Sequence, residues 1–227
     1  MSINNESDLV KEFIKKYKIK NNVKVITELE TNFGRPDIVI ITINEDKLNT
    51  RRNNCCNEKF LRKYSYILSF LFGKSWVSFS RINGFFNFSN FEMNKALQAL
   101  DKMNLIDIKG DLVKSKPARE ILVLNRLKVI EAKLSNWKYV IEQAERHFWF
   151  SKESSILLPD ISENIIAKSM RKCKKSGIGL FIFDGNKNVE LLKPYSKGLV
   201  NTPLLWELNE KLVQGEIEFE SKVTSGG

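Results

Sequence analysis

The stretch LKVIEAKLSNW, Leu127–Trp137, decides how the fold is interpreted, because it places two charges inside an otherwise apolar segment. In a β-strand, side chains two positions apart leave on the same face, so Glu131 and Lys133 point together while Ile130 and Ala132 point the other way. Burying an ion is costly unless a partner compensates its charge. Two interpretations follow: an edge strand with one solvated face, and a strand whose charges face a metal ion, a phosphate or water.

A second carboxylate lies at the start of another apolar strand. The stretch GRPDIVI places Asp37 where a hydrophobic residue would be less costly. If the strands of Asp37 and Glu131 are neighbours in one sheet, two carboxylates and the Lys133 ammonium converge. Such oxygen donors suit a hard divalent ion, Mg²⁺ with Mn²⁺ as the alternative, and this group of residues suits phosphodiester hydrolysis. His147 is the only histidine and is predicted to pack or to lie at the surface, so the metal ligands would be oxygens.

The composition indicates a polyanionic partner. The 227 residues include 37 Lys and Arg against 27 Asp and Glu, which gives a formal net charge of +10. Nucleic acid is the first candidate, and a membrane is discounted because the apolar runs are short. The N-terminus does not resemble a signal peptide, so we expect a cytoplasmic protein. Cys55, Cys56 and Cys173 form no disulfide framework or zinc spacing, and we expect them to be reduced.

The order of the predicted elements indicates two kinds of structure. Apolar periodicity predicts a first helix, a strand pair that carries Asp37 and a polar linker; a helical segment with a hairpin follows, and then alternating strands and helices. We predict Ser89 as the N-cap of the clearest helix in that segment. Helices followed by a hairpin indicate a winged helix-turn-helix. The alternation favours an α/β core with a mixed sheet flanked by helices. The expected parts are the core at residues 1–56 and 121–200, the winged-helix-like insertion at 57–120, and a C-terminal helix and tail at 201–227.

With PD at Pro36 and Asp37, and EAK at Glu131–Lys133, the chain resembles the PD-(D/E)XK nuclease superfamily, which has the restriction-endonuclease-like fold. This resemblance implies that metal is held by Asp37, Glu131 and the main-chain carbonyl of Ala132, with Lys133 as the catalytic lysine. The family's usual connection between the two motifs is short, whereas Asp37 and Glu131 are 94 residues apart. An inserted domain accounts for this separation, and it predicts that the strands on either side of the insertion are adjacent.

Two further segments extend the similarity. ESDL, Glu6–Leu9, resembles the start of the first helix in several members of the superfamily, and the QA at Gln143 resembles their helix after the Glu-x-Lys strand. The resemblance implies that Glu6 and Gln143 line the site from opposite sides. Glu12 lies less than two turns from Glu6 and could replace it. The alternatives are a dipole-stabilising charge for Glu6 and a solvated position for Gln143.

The residues expected to contact nucleic acid lie on three segments. The start of the predicted recognition helix would reach base edges, whereas lysines of the hairpin and of a later basic helix would contact phosphates. These residues are Asn90, Asn94, Lys95, Lys109 and Lys172. A protein-contact role for the winged-helix segment and a solvated face for the basic helix stay open.

The main hypothesis is a Mg²⁺-dependent DNA endonuclease that works in defence, mobile-element or DNA-processing roles. Cleavage of both strands requires two sites or two nicks, so a homodimer or a partner in a multi-subunit system is reasonable. The alternative is an inactive nuclease-fold DNA-binding regulator or assembly subunit, because fold alone does not establish activity. A nuclease on RNA or branched DNA is a third interpretation.

Overall fold

The structure is a computed structural model that describes residues 3–17, 20–31, 34–54, 58–217 and 219–220. Cys55, Cys56 and the tail beyond residue 220 lie outside these ranges. In chain order the elements are α1 Glu6–Lys16, β1 Val23–Thr27, β2 Ile38–Ile43, α2 Glu45–Asn53, α3 Arg62–Leu71, β3 Val77–Ser78, α4 Phe79–Phe86, α5 Asn90–Lys102, β4 Ile106–Lys109, β5 Leu112–Ser115, α6 Ala118–Ile121, β6 Leu124–Ala132, α7 Trp137–Arg146, a 3-10 turn His147–Trp149, β7 Glu153–Pro159, α8 Glu163–Ser176, β8 Gly179–Phe183, β9 Asn188–Leu192 and α9 Pro203–Gln214.

The chain divides into two units. The first unit contains residues 1–43, 124–200 and 218–227, and the second contains residues 44–123 and 201–217. The second unit therefore begins earlier than the predicted insertion at 57–120, and it includes the terminal helix that the sequence had set apart.

The first unit is α/β, with a mixed six-stranded sheet in the order β1-β2-β6-β7-β8-β9. Strands β1, β2 and β6 are antiparallel, β6, β7 and β8 are parallel, and β9 is antiparallel to β8. The parallel steps are the ones bridged by α7 and α8, since a parallel neighbour requires a crossover connection. The prediction of a mixed sheet flanked by helices is confirmed.

Both faces of this sheet are covered by helices. Leu9 and Phe13 of α1 pack with Ile130 and Ala132 on one face. On the other face, residues of α7 and α8 pack with Ile156 and its neighbours. Side chains alternate along β6, so Glu131, between Ile130 and Ala132, points to the α7 face. The thiol of Cys173 is also buried there, and burial raises its pKa to about 12.

The predicted adjacency of the strands on either side of the insertion is confirmed. Strand β2 pairs with β6 in antiparallel register, with Ile38 opposite Ile130. Strand β6 begins at Leu124, however, before the predicted start at Val129. Its first half carries Arg126, which binds the buried Glu153 carboxylate, and Lys128, whose Nζ lies 3.3 Å from Glu190. These charges interrupted the apolar pattern, so the sequence did not reveal that part of the strand.

The second unit joins helices to a three-stranded antiparallel sheet in the order β3-β5-β4. The predicted hairpin is confirmed as β4 and β5, and the short helix suspected before Ser89 is α4. Ser89 caps α5 as predicted, in a capping box with Glu92. Asn87 ends α4 in the left-handed conformation (φ 52°), which produces the sharp turn between α4 and α5.

The prediction of a linker at residues 44–59 is wrong for its first part, because residues 45–53 form α2. The helix buries only Leu48, so it lacks the apolar stripe by which sequence patterns reveal helices. Its tertiary partner is α9: the Arg51 guanidinium binds the Glu210 carboxylate at 2.7 and 2.9 Å. Arg52 donates to the carbonyl of Leu212 at 2.8 Å. These contacts stabilise α2, whose own sequence lacks the apolar stripe of a typical surface helix.

We expect Arg51→Met to destabilise the second unit by about 3 kcal/mol, because the change leaves the buried Glu210 carboxylate without its partner. The Arg51 and Glu210 side chains are only 12% and 3% exposed. Denaturant unfolding would measure the loss. Arg119→Met is the control, since that side chain is 87% exposed and its replacement should change stability little. Equal stability of the two variants would contradict the role given to this pair.

Candidate active site

Asp37 immediately precedes β2 and faces Glu131 of β6. The antiparallel register places Ile38 opposite Ile130, and the next step of that register brings Asp37 opposite Glu131. Facing residues of antiparallel strands point to the same face, with Cβ atoms about 5 Å apart. Pro36 immediately precedes Asp37 and has no backbone N–H to continue the ladder. Two carboxylates that are 94 residues apart in sequence are therefore neighbours in the sheet.

The surroundings of Asp37 favour its protonated form. Burial raises the pKa of Asp37 to about 7, against a hydrogen bond from the Ala132 N–H that favours the charged carboxylate. That N–H donates to Asp37 Oδ2 at 2.7 Å. The negative charge of Glu131 raises the pKa further, and the positive charge of Lys133 opposes it. The site thus holds a carboxyl group that would gain from a nearby cation.

Lys133 directly follows the end of β6 and binds Glu6 of α1. This helix lies on the sheet face opposite to the one that Glu131 faces, so the prediction that Glu131 and Lys133 share one strand face is wrong. The Lys133 Nζ donates to Glu6 Oε2 at 2.6 Å. Burial disfavours the lysine's charged form, but the hydrogen bond with Glu6 and the charges of Glu6, Asp37 and Glu131 together raise the pKa of Lys133. The ammonium therefore stays charged beside the two carboxylates. Glu12, the alternative to Glu6, instead pairs with Lys15 at 3.7 Å.

His147 contacts Glu131, a contact that the sequence did not predict. Its Nε2 lies 2.5 Å from Glu131 Oε1, and the histidine is 3% exposed. The expectation of a packing or surface residue misses this role, because nothing in the HFWF stretch signals a polar partner. Among the described residues, neither His147 Nδ1 nor Gln143 Oε1 has a hydrogen-bond partner. Gln143 lies on α7 four residues before His147, and within the described ranges no hydrogen bond joins it to Asp37, Glu131 or Lys133.

The donor set suits a hard cation that keeps part of its water shell. Within the described ranges, no group of three or more His, Cys, Asp or Glu residues forms a metal cluster. The site has two carboxylates, Asp37 and Glu131, which is the number of protein carboxylates with which Mg²⁺ is commonly bound alongside water. Burial is the main cause of the raised pKa of Asp37, and a cation beside this carboxyl group would favour its charged form. These residues fit Mg²⁺ or Mn²⁺ and do not resemble a structural zinc site.

The residues predicted to contact nucleic acid are placed as follows. Asn94, Lys95 and Lys109 are exposed on α5 and β4 of the second unit. Asn90 is also exposed, but its Oδ1 accepts a hydrogen bond from Asn83 Nδ2 at 2.9 Å, which commits part of its side chain. Lys172 lies on α8 of the first unit, 3.9 Å from Glu142.

Comparison with protein-family models, with curated proteins and with solved structures found no match. None of the helices in the described part of the chain is long and apolar enough to span a bilayer.

If the site cleaves nucleic acid with a metal ion, as the sequence resemblance implies, His147→Ala should lower that cleavage about 10- to 100-fold, the usual effect of removing a group that orients a metal ligand. His147→Gln should recover much of that loss, because its amide can place a donor where Nε2 lies. Initial cleavage rates at several Mg²⁺ concentrations would measure both variants beside the parent. Equal losses in the two variants, with equal loss of thermal stability, would assign His147 a packing role only.

Proposed function

We propose that this protein is a Mg²⁺-dependent DNA endonuclease with a restriction-endonuclease-like core, in which Asp37, Glu131 and Lys133 form the active site. The observation that carries the proposal is that Asp37, which immediately precedes β2, faces Glu131 on the adjacent strand β6, with Lys133 directly after the end of β6. Burying Asp37 beside a second carboxylate has an electrostatic cost, and burial is the main cause of the raised pKa of Asp37, with the charge of Glu131 adding to it. A bound divalent cation would remove that cost, and the two carboxylates would then serve as metal ligands.

The order of elements in the first unit supports the core assignment. Helix α1 is followed by the antiparallel strands β1, β2 and β6, then by α7 and the parallel strand β7. This is the context that the resemblance implies: a helix, a hairpin that carries the Asp, a strand with Glu-x-Lys, and a helix after it. The second unit accommodates the long separation of the two motifs.

The residues of the site have separate tasks in the proposed reaction. Asp37, Glu131 and the main-chain carbonyl of Ala132 would hold the ion, which when bound supplies Lewis-acid polarisation of the phosphoryl group and the attacking water. Lys133 would stabilise negative charge on the phosphate. Glu6 fixes the ammonium of Lys133 at 2.6 Å. His147 fixes one oxygen of Glu131, so the other oxygen is oriented for the ion.

DNA engagement is assigned to a winged helix-turn-helix in the second unit. Helices α4 and α5 are joined by the turn at Asn87, and the β4–β5 hairpin follows α5. Helix α5 would enter the major groove, with Asn94 and Lys95 near bases and Lys109 on the hairpin near phosphates. Cleavage of both strands would be achieved by a homodimer, by a partner subunit or by sequential nicks.

The test is cleavage of supercoiled plasmid, linear duplex, single-stranded DNA, a four-way junction and RNA, with Mg²⁺ or Mn²⁺ and with chelator. The proposal expects nicking or cutting of DNA that disappears with chelator. Cleavage of RNA but not of DNA would change the proposed substrate from DNA to RNA. Absence of cleavage on every substrate, with metal present, would overturn the endonuclease assignment for the isolated protein.

A second candidate is a DNA-binding regulator or assembly subunit that retains the nuclease fold without activity. The observation that favours it is that Lys133 is already paired with Glu6 and that only two carboxylates face each other. This candidate predicts salt-sensitive DNA binding that is equal in the parent and in Glu131→Gln, with no cleavage by either. Binding and cleavage measured on the same preparations separate the two candidates.

A further inference from the structure

Four phenylalanine rings form a cluster at the surface of the second unit, on α3, on α4 and in the turn before α5. Phe70 and Phe85 have ring centroids 4.6 Å apart, Phe85 and Phe86 are 4.9 Å apart, and Phe86 stacks on Phe88 at 5.7 Å. We call Phe70, Phe85, Phe86 and Phe88 the phenylalanine cluster. Phe85 is 66% exposed to solvent. The other three rings are partly buried, so the cluster forms a contiguous apolar patch that reaches solvent mainly through Phe85, and such patches mark interaction surfaces more often than single exposed apolar residues do.

Cationic side chains accompany the phenylalanine cluster. Lys74 Nζ lies 3.8 Å from the centroid of Phe70, and Lys63 Nζ lies 6.0 Å from that of Phe88. Arg81 is exposed on α4, four residues before Phe85 and therefore on the same helical face. A surface that presents apolar rings together with positive charges suits a ligand with both flat apolar groups and negative charges.

The sequence around the cluster has the same character. Residues 59–91 contain 11 of the chain's 24 Phe, Tyr and Trp residues and five Lys or Arg residues, but no Asp or Glu. The acidic residues that flank this segment have partners of their own: Glu58 pairs with Lys102 at 2.7 Å, and Glu92 belongs to the capping box of α5. The segment is therefore rich in aromatic rings and, because it contains no acidic residue, has a net positive charge.

From these observations we propose that the phenylalanine cluster binds single-stranded DNA, with unpaired bases stacked on the rings and phosphates held by Lys63, Lys74 and Arg81. Every base has a π-face, so stacking on aromatic rings accepts any sequence, and cations beside the rings follow the backbone. An intact duplex presents only base edges in its grooves and offers no free face to these rings. The site is therefore different in kind from the duplex contacts assigned to α5.

The cluster offers no contact that would select RNA over DNA. The four phenylalanine side chains contain no hydrogen-bonding group for a 2′-hydroxyl, which is the group that lets a protein distinguish RNA at a given position. A membrane fits the segment less well, because the aromatic and basic residues are spread over helices and turns of a folded unit instead of one amphipathic helix. The binding goes beyond the proposed cleavage reaction and does not depend on it.

The test is fluorescence anisotropy in the presence of chelator, with labelled oligo-dT, an abasic oligomer of the same length, oligo-rU and a duplex. Both single-stranded DNA probes carry the same phosphates, so the difference between them reports base stacking. We expect the parent to bind oligo-dT about tenfold more tightly than the abasic oligomer. Phe85→Ala should remove about this factor for oligo-dT and leave abasic and duplex binding unchanged.

Two controls accompany Phe85→Ala. Tyr195→Ala removes an aromatic side chain that is 90% exposed in the first unit, and it should leave oligo-dT binding unchanged. Phe85→Leu keeps an apolar side chain but removes the ring, so it should behave like Phe85→Ala if stacking is responsible. Because Phe85 is largely exposed, these substitutions should leave the thermal midpoint nearly unchanged.

Four results would overturn the proposal. Equal binding of oligo-dT and the abasic oligomer would exclude stacking, and equal losses on all probes in Phe85→Ala would indicate a general effect on folding or charge. Tighter binding of oligo-rU than of oligo-dT would assign the surface to RNA. Self-association of the parent that Phe85→Ala abolishes, measured by sedimentation, would assign it to a second copy of the chain. Because chelator prevents cleavage, none of these results depends on nuclease activity.

Discussion

Glu131→Gln and Lys133→Met should each lower Mg²⁺-dependent DNA cleavage at least about a thousandfold, while DNA binding stays within a few fold of the parent. Glu131→Gln keeps the size of the side chain and a polar contact for His147 but removes the charge proposed to hold the ion. Lys133→Met removes the ammonium that would stabilise charge on the phosphate, an electrostatic effect that is large inside a partly buried site. Initial rates of plasmid nicking and DNA binding measured with chelator would give both quantities.

Matched controls come from exposed residues of the same unit. Glu142→Gln and Lys138→Met change the same residue types on α7, where both side chains are exposed. They should cleave at nearly the parental rate. Circular dichroism of all four variants would establish that folding is intact. Cleavage by Glu131→Gln within a few fold of the parent would remove Glu131 from the catalytic machinery, and with it the main argument for the proposed function.

Asp37→Asn should abolish cleavage and, in the absence of metal, make the protein more stable at pH 8. The Asp37 carboxyl has a pKa of about 7 in the folded protein against 3.8 when unperturbed. Between these two values the folded state binds more protons than the unfolded state, so the free energy of unfolding falls as the pH rises from about 4 to about 7. It stays lower above that range, because the folded protein then carries an ionised carboxylate in an unfavourable place.

The neutral amide introduced by Asp37→Asn avoids that cost and can still accept a hydrogen bond from the Ala132 N–H. We expect the free energy of unfolding of Asp37→Asn to exceed that of the parent by about 1–2 kcal/mol at pH 8 and by almost nothing at pH 4. The expected gain is smaller than the full pKa shift would give, because the group is partly solvated. Thermal or urea unfolding at both pH values with chelator would measure this difference. Mg²⁺ added at pH 8 should raise the melting temperature of the parent but not of the variant, since only the parent keeps the charged ligand.

Asp184→Asn is the matched control for the sign of this effect. Hydrogen bonds from the N–H groups of Asn186 and Lys187 lower the pKa of Asp184, so its charged form stabilises the fold. Its replacement should therefore reduce stability at pH 8 instead of increasing it. Two results would show that the raised pKa of Asp37 is not the source of the effect. One is a lower free energy of unfolding for Asp37→Asn than for the parent at pH 8, and the other is an equal gain in that free energy at pH 4 and at pH 8.

Several features could be predicted from the sequence because they depend on local patterns. Alternation along β6 placed Glu131 on the face opposite to Ile130 and Ala132, and sequence patterns located α1, α5, α8 and α9. The separation between Asp37 and Glu131 required an insertion, and β2 and β6 are indeed adjacent. Helix α2 could not be predicted in this way, because its support comes from Arg51 and Glu210, which are 159 residues apart.

The sequence by itself determined that Glu131 lies on an apolar strand, that Asp37 stands at the start of another, and that the chain is rich in positive charge. Tertiary structure alone decided the partners of those charges: Lys133 meets Glu6 across 127 positions, and Glu131 meets the only histidine across 16. It also decided the raised pKa of Asp37. The physical reason is that strand alternation is a property of neighbours in sequence, whereas hydrogen bonds and charge interactions depend on distances in space that only the folded chain sets.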